Sequence, residues 1–122
     1  MSSLHHVALG ARDVERVATF YEQALGLNLV ARHVEPSGAT RSIWLELGDA
    51  LLMIERTEQR PQRVEGVGAG PFLIAVRVEK EARRSWEARL EQHGGRIESR
   101  TDFTSYARDP EGNRVAVSHY PR

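Results

Sequence analysis

The chain has 122 residues, of which 40% are apolar and 28% charged, a balance that suits one compact domain with a core of its own. Its 17 basic and 17 acidic residues cancel to a formal net charge of zero and are interspersed, which argues against a nucleic-acid groove. Cysteine is absent, excluding disulfides, thiolate metal sites and cysteine nucleophiles.

Leu4 to Ala11 is a short apolar run suited to a strand. Asp13 can cap a helix whose apolar residues recur at Val14, Val17, Ala18, Tyr21, Ala24 and Leu25, and Gly26 stops it. Leu27 to Glu35 is extended, and Pro36, Ser37 and Gly38 turn the chain. Arg41 to Leu47 then places Ile43, Leu45 and Leu47 on one face, Gly48 and Asp49 make a hairpin turn, and Leu51 to Glu55 closes the set. Residues 57–71 are polar and then glycine-rich, reading as a linker. Phe72 to Val78 is the next strand. A helix follows with Ala82, Trp86 and Leu90 on one stripe, ended by Gly94 and Gly95. Arg96 to Arg100, Phe103 to Arg108 and Arg114 to His119 give three more strands, with a tight turn at Asp109, Pro110, Glu111 and Gly112.

The order strand, helix, three strands therefore occurs twice. The predicted fold class is α+β: two βαβββ modules, 4–56 and 72–120, within a single domain 1–122, forming a curved mixed sheet that encloses a cleft. Strand parity selects the cleft residues. If Val7, Leu9 and Ala11 pack on the helix, His6, Ala8 and Gly10 face the other way, with Met53 and Glu55 from the module's last strand and Ser42, Trp44 and Glu46 from its neighbour. The second module contributes Leu73, Ala75, Arg77, Arg114, Ala116 and Ser118.

These residues resemble the vicinal oxygen chelate superfamily, which includes glyoxalase I, extradiol dioxygenases, fosfomycin resistance enzymes, methylmalonyl-CoA epimerase and bleomycin-binding proteins. The carriers are His6 to Asp13, then Phe20, Tyr21, Leu25, Gly26 and Leu27, then Leu47, Gly48 and Asp49 before the strand ending in Glu55, and finally Asp109 to Asn113. The resemblance implies metal ligands on the first and last strands of each module. His6 and Glu55 match two of these positions, but Leu73 and Ala116 occupy the others and donate no lone pair. Two protein ligands are too few for an ordinary site. A glyoxalase-type shuttle loses its base at Ala116, and a dioxygenase its second histidine.

Each candidate also has a plainer role. His6 hydrogen-bonded to Glu55 needs no metal; Glu55, if buried, can pair with Arg77 or Arg114; Trp44 and Tyr106 can stack on a flat ligand or fill space. His5 has the opposite parity to His6, while His33, His93 and His119 are expected to be solvated. All basic residues but Lys80 are arginine, and their placement shows no demand for bidentate recognition. The expectation is a glyoxalase/bleomycin-resistance-like homodimer binding a small aromatic or carbonyl-containing molecule without a standard metal site. Trp44, Glu46, Met53, Leu73, Arg77, Tyr106, Arg114 and Ala116 are its substrate-binding residues, and His6 and Glu55 its catalytic candidates. The alternatives are a lyase, isomerase or dioxygenase using a divalent metal (Zn, Ni, Fe or Mn) held by His6 and Glu55, and a metal-free enzyme with His6 or Glu55 as general base. No apolar run reaches membrane-spanning length and Met1 to Ser3 carries no signal pattern, so a cytoplasmic location is expected, with neither membrane nor nucleic acid as partner.

Overall fold

Asp13 and Gly26 set the ends of the first helix. In the computed structural model, which describes residues 1–122, helix α1 spans Val14–Leu25. The Asp13 carboxylate accepts the Arg16 backbone N–H at 3.1 Å, and Gly26 takes a left-handed φ of 71° while its N–H donates to the Tyr21 carbonyl. Val14, Val17, Ala18, Phe20, Tyr21, Ala24 and Leu25 form the buried face.

The chain divides into two compact units, Met1–Pro61 and Gln62–Arg122, with the boundary inside residues 57–71. In the first, β1 (His6–Ala11), β2 (Leu29–Val34), β3 (Thr40–Leu47) and β4 (Ala50–Arg56) form one sheet in the order β1-β4-β3-β2. The β1–β4 pair is parallel and the others antiparallel. Ile43, Leu45, Leu52 and Ile54 are fully buried on the face covered by α1. Burying each of these side chains stabilises the unit by about 1.5–3 kcal/mol.

The second unit repeats the topology. Its strands β5 (Ile74–Arg77), β6 (Ser99–Arg100), β7 (Thr104–Arg108) and β8 (Arg114–Ser118) are ordered β5-β8-β7-β6, again with one parallel pair, β5–β8. A 3₁₀ turn at Lys80–Ala82 leads into α2 (Arg83–Gln92). The α+β class and the doubled βαβββ order are thus as read from the sequence. Most strands are shorter than expected, most clearly β6, where only Ser99 and Arg100 pair with β7, whereas β3 and β4 are slightly longer.

Three expectations need correction. The inward face of α2 is not an apolar stripe: Leu90 is buried, but Glu87 is buried beside it, while Trp86 is half-buried with the Arg89 guanidinium 4.6 Å from its ring. The arginines do recognise carboxylates bidentately, Arg32 on Glu15 (2.9 and 3.0 Å) and Arg100 on Glu87 (2.9 and 3.1 Å). Residues 57–71 do more than link: Arg63 bonds Glu98 at 2.6 Å and Glu65 at 2.7 Å, fastening part of this stretch to the second unit.

The turn after β7 is built by Asp109. Its carboxylate accepts the N–H groups of Glu111 and Asn113 and the Asn113 side-chain amide, and Gly112 supplies a φ of 89°. This is a hairpin device, as its sequence suggested.

Candidate functional site

Each sheet buries one face under its helix; the opposite, helix-free face, called open below, is exposed at some positions and buried at Ser42, Arg108 and Ala116. In the first unit, His6, Ala8, Gly10, Glu46 and Glu55 are exposed and Leu51, Met53 and Trp44 half-buried, whereas the alternating residues Leu45, Leu52 and Ile54 are sealed. Three cross-strand rows follow from the register: His6, Leu51 and Glu46; Ala8, Met53 and Trp44; Gly10, Glu55 and Ser42. Trp44 occupies the middle row, its ring 5.0 Å from that of His6 and tilted by 57°. His5, just outside β1, approaches His6 with their Nδ1 atoms 2.8 Å apart, so one nitrogen carries the shared proton and the other accepts it. Strand parity missed this contact because His5 precedes the strand; adjacency of the two histidines was its only signal.

The register separates the two expected metal ligands. Glu55 lies opposite Gly10, four residues from His6, which corresponds to roughly 13 Å of strand. The pair share a face but lie two cross-strand rows apart. Glu55 is exposed, so burial places no demand on it for an arginine partner. No group of three or more His, Asp or Glu side chains is placed to hold a metal ion, and Leu73 and Ala116 add no donors. These residues do not fit the four-ligand centre that the superfamily implies.

In the second unit the open face carries Ala75 and Arg77 of β5, Arg114, Ala116 and Ser118 of β8, and Thr104, Tyr106 and Arg108 of β7, with Leu73 half-buried just before β5. Ala116 is fully buried, flanked across the ladders by Ala75 and Tyr106. Arg77 is exposed beside Ser118, whose hydroxyl is 2.8 Å from that of Thr104. The Arg114 guanidinium carbon lies 4.5 Å from the centre of the Phe72 ring and 5.2 Å from that of Tyr106. Arg108, opposite Arg114, is bound by Glu98 at 3.1 Å and by the Gly112 carbonyl at 2.9 Å. Burial pushes the Glu98 carboxyl upward, but Arg63 and Arg108 outweigh that effect and hold it below the ordinary carboxylate range.

A polar cluster absent from the sequence reading lies between α2 and the sheet. Glu87 accepts from Arg100 and from the Ser105 hydroxyl, and Arg83 donates to Ser105 (2.8 Å) and to the carbonyls of Thr101, Asp102 and Thr104. The Arg100 hydrogen bonds dominate over burial, so the Glu87 carboxyl is held below its usual range. His119 was expected in solvent. It is instead half-buried, with its ring 5.6 Å from Phe103, its Nε2 3.5 Å from Arg83 and its Nδ1 buried without a hydrogen-bond partner.

Residues 3–117 match the family model of the Glyoxalase/Bleomycin resistance protein/Dioxygenase superfamily. The chain belongs to this superfamily. No curated protein sequence matches it. Among solved structures, fosfomycin resistance protein FosX from Mesorhizobium loti is similar with a TM-score of 0.80 at 17% identity, over 98% of this chain and 92% of that one. A FosX mutant from Listeria monocytogenes, complexed with Mn(II) and 1S,2S-dihydroxypropylphosphonic acid, gives 0.81 at 13% identity over 98% and 93%. Lactoylglutathione lyase from Agrobacterium tumefaciens gives 0.70 at 21% identity over 96% and 92%. At these identities the likeness establishes the fold, and superfamily membership leaves the reaction open because the fold hosts many chemistries.

Proposed function

We propose that this protein binds a small aromatic or carbonyl-containing molecule against the open sheet faces and does so without the superfamily's ordinary metal centre. The observation that carries this reading is the donor set. Of the four ligand positions expected from the superfamily, two hold Leu73 and Ala116, and the remaining pair, His6 and Glu55, stand four residues out of register. In the first unit Trp44 and Met53, and in the second Leu73 and Tyr106, supply partly buried apolar surface for a flat ligand, with Glu46 in the first and Arg77 and Arg114 in the second as orienting polar groups. Should turnover accompany binding, His6 or Glu55, both exposed, would serve as the general base.

The homodimer belongs to the same reading. Strand β2 lies at a sheet edge and exposes Leu29, Val30 and Val34, an apolar border of the kind covered by association. No helix is long and apolar enough to cross a membrane, and a cytoplasmic setting fits the proposed dimer.

Two measurements test this. Protein purified without chelator is expected to hold far less than one transition metal per chain by mass spectrometry; near one per chain sinks the metal-free reading. In a Trp86→Phe background, which leaves Trp44 as the only indole, aromatic aldehydes and ketones are expected to quench the fluorescence saturably. Linear, unsaturable quenching counts against a binding face.

A further inference from the structure

We propose that the ligand carries a planar carboxylate and that Arg114 receives it, an assignment that rests on reading the open faces as binding surface. The open-face strand residues of the second unit include three arginines, Arg77, Arg108 and Arg114, and no acid. Arg108 is already served by Glu98 and the Gly112 carbonyl. Arg114 is not: it forms no ion pair, and its Nε is buried with no acceptor.

What holds Arg114 instead is aromatic surface, with Phe72 at 4.5 Å and Tyr106 at 5.2 Å. Such contact attracts a weakly hydrated guanidinium and restricts its motion, but it supplies no acceptor for the N–H groups. Contact through the guanidinium carbon leaves the terminal nitrogens free of any acceptor. The residue as a whole is half-buried and only its Nε is sealed, so the terminal nitrogens remain reachable. Because the side chain is already desolvated and positioned, a ligand anion meets little of the ordering cost that an exposed arginine would impose. With Nε sealed, a planar carboxylate would accept two parallel N–H···O bonds from the two terminal nitrogens. The rings beside it favour an apolar or aromatic body next to that head.

The test uses the full-length protein and three probes of one shape: phenylacetate, its neutral amide phenylacetamide, and benzylphosphonate, each titrated by NMR. Phenylacetate is expected to bind about tenfold or more tightly than the amide, shifting the Arg114 Nε–H and the Tyr106 amide signals. Arg114→Gln should reduce phenylacetate to the affinity of the amide and change the amide by less than about twofold. If that variant fails to fold, the wild-type carboxylate-to-amide ratio and the Arg114 Nε–H shift decide alone. Equal binding of all three probes on an open face overturns the carboxylate assignment and leaves the surface reading standing; a preference for the phosphonate overturns the planar head group. Absence of shifts on either open face at millimolar probe overturns the surface reading and the assignment with it.

Discussion

Glu55 stands across the β1–β4 ladder from Gly10, four residues along from His6. Side chains that far apart, with Met53 and Ala8 in the row between, act independently. The effects of His6→Ala and Glu55→Gln on ligand binding are therefore expected to add within about 0.5 kcal/mol in a double-mutant cycle. A coupling well above that, measured by titration calorimetry, would show that the two groups share a partner, such as a bound cation.

Glu87 is 8% exposed and accepts charge-assisted hydrogen bonds from Arg100 and a bond from Ser105. Glu87→Gln is expected to cost about 1–3 kcal/mol in urea unfolding at pH 7, because it removes the charge that Arg83 and Arg100 were arranged to meet. The sign of the pH effect follows from the lowered folded-state carboxyl. Its contribution is full above the unfolded-state value and is lost as pH falls through the folded one. Wild type and Glu87→Gln should thus differ most near neutrality and converge in acid; a gap that widens below pH 4 contradicts this account.

Asp109 offers a graded comparison at the turn between β7 and β8. Its Oδ1 takes two backbone N–H groups and its Oδ2 the Asn113 side-chain amide. Asn keeps one acceptor oxygen for the backbone pair and Ala keeps none. Asp109→Ala is expected to cost about 2–4 kcal/mol and Asp109→Asn about half as much, measured by chemical denaturation. Equal losses would mean that charge, rather than turn geometry, is what this position supplies.

The parts of the fold legible in the sequence were those set by local rules. Asp13, the apolar recurrence from Val14 to Leu25, and Gly26 carry the first helix within their own segment, and alternation in Arg41–Leu47 and Leu51–Glu55 assigns faces without knowledge of partners. Register is a different matter. Sliding β4 by two residues against β1 preserves every face assignment and moves Glu55 by roughly 7 Å, so parity could place His6 and Glu55 on one face but not beside each other. The inner face of α2 was hidden for a related reason. Arg83 and Glu87 look like solvated charges until Ser105, Arg100 and the carbonyls before β7 are brought to them by the fold. At Arg114, the sequence reading grouped Tyr106 with it but gave no sign that Phe72 would lie against it.

Glu15 and Glu87 separate more salt-sensitive from less salt-sensitive electrostatics in one molecule. Glu15, in the first turn of α1, takes Arg32 of β2 in a two-point contact and the Thr40 hydroxyl of β3. The Arg32 hydrogen bonds, followed by that of Thr40, hold its carboxyl below the usual range, the same direction as for Glu87. Yet the Glu15 and Arg32 side chains are 49% and 41% exposed, against 10% for Glu87. Water and ions reach the first pair, so Glu15→Gln should cost only about 0.5–1 kcal/mol in dilute buffer, and that difference should shrink at 1 M NaCl, where the Debye length is about 3 Å. The Glu87→Gln difference should shrink less at the same salt, since Glu87 and Arg83 are 10% and 15% exposed, although Arg100 is 55% exposed. Parallel urea titrations of both variants at low and high salt read this directly, and equal salt sensitivity at the two sites would refute the ranking by burial.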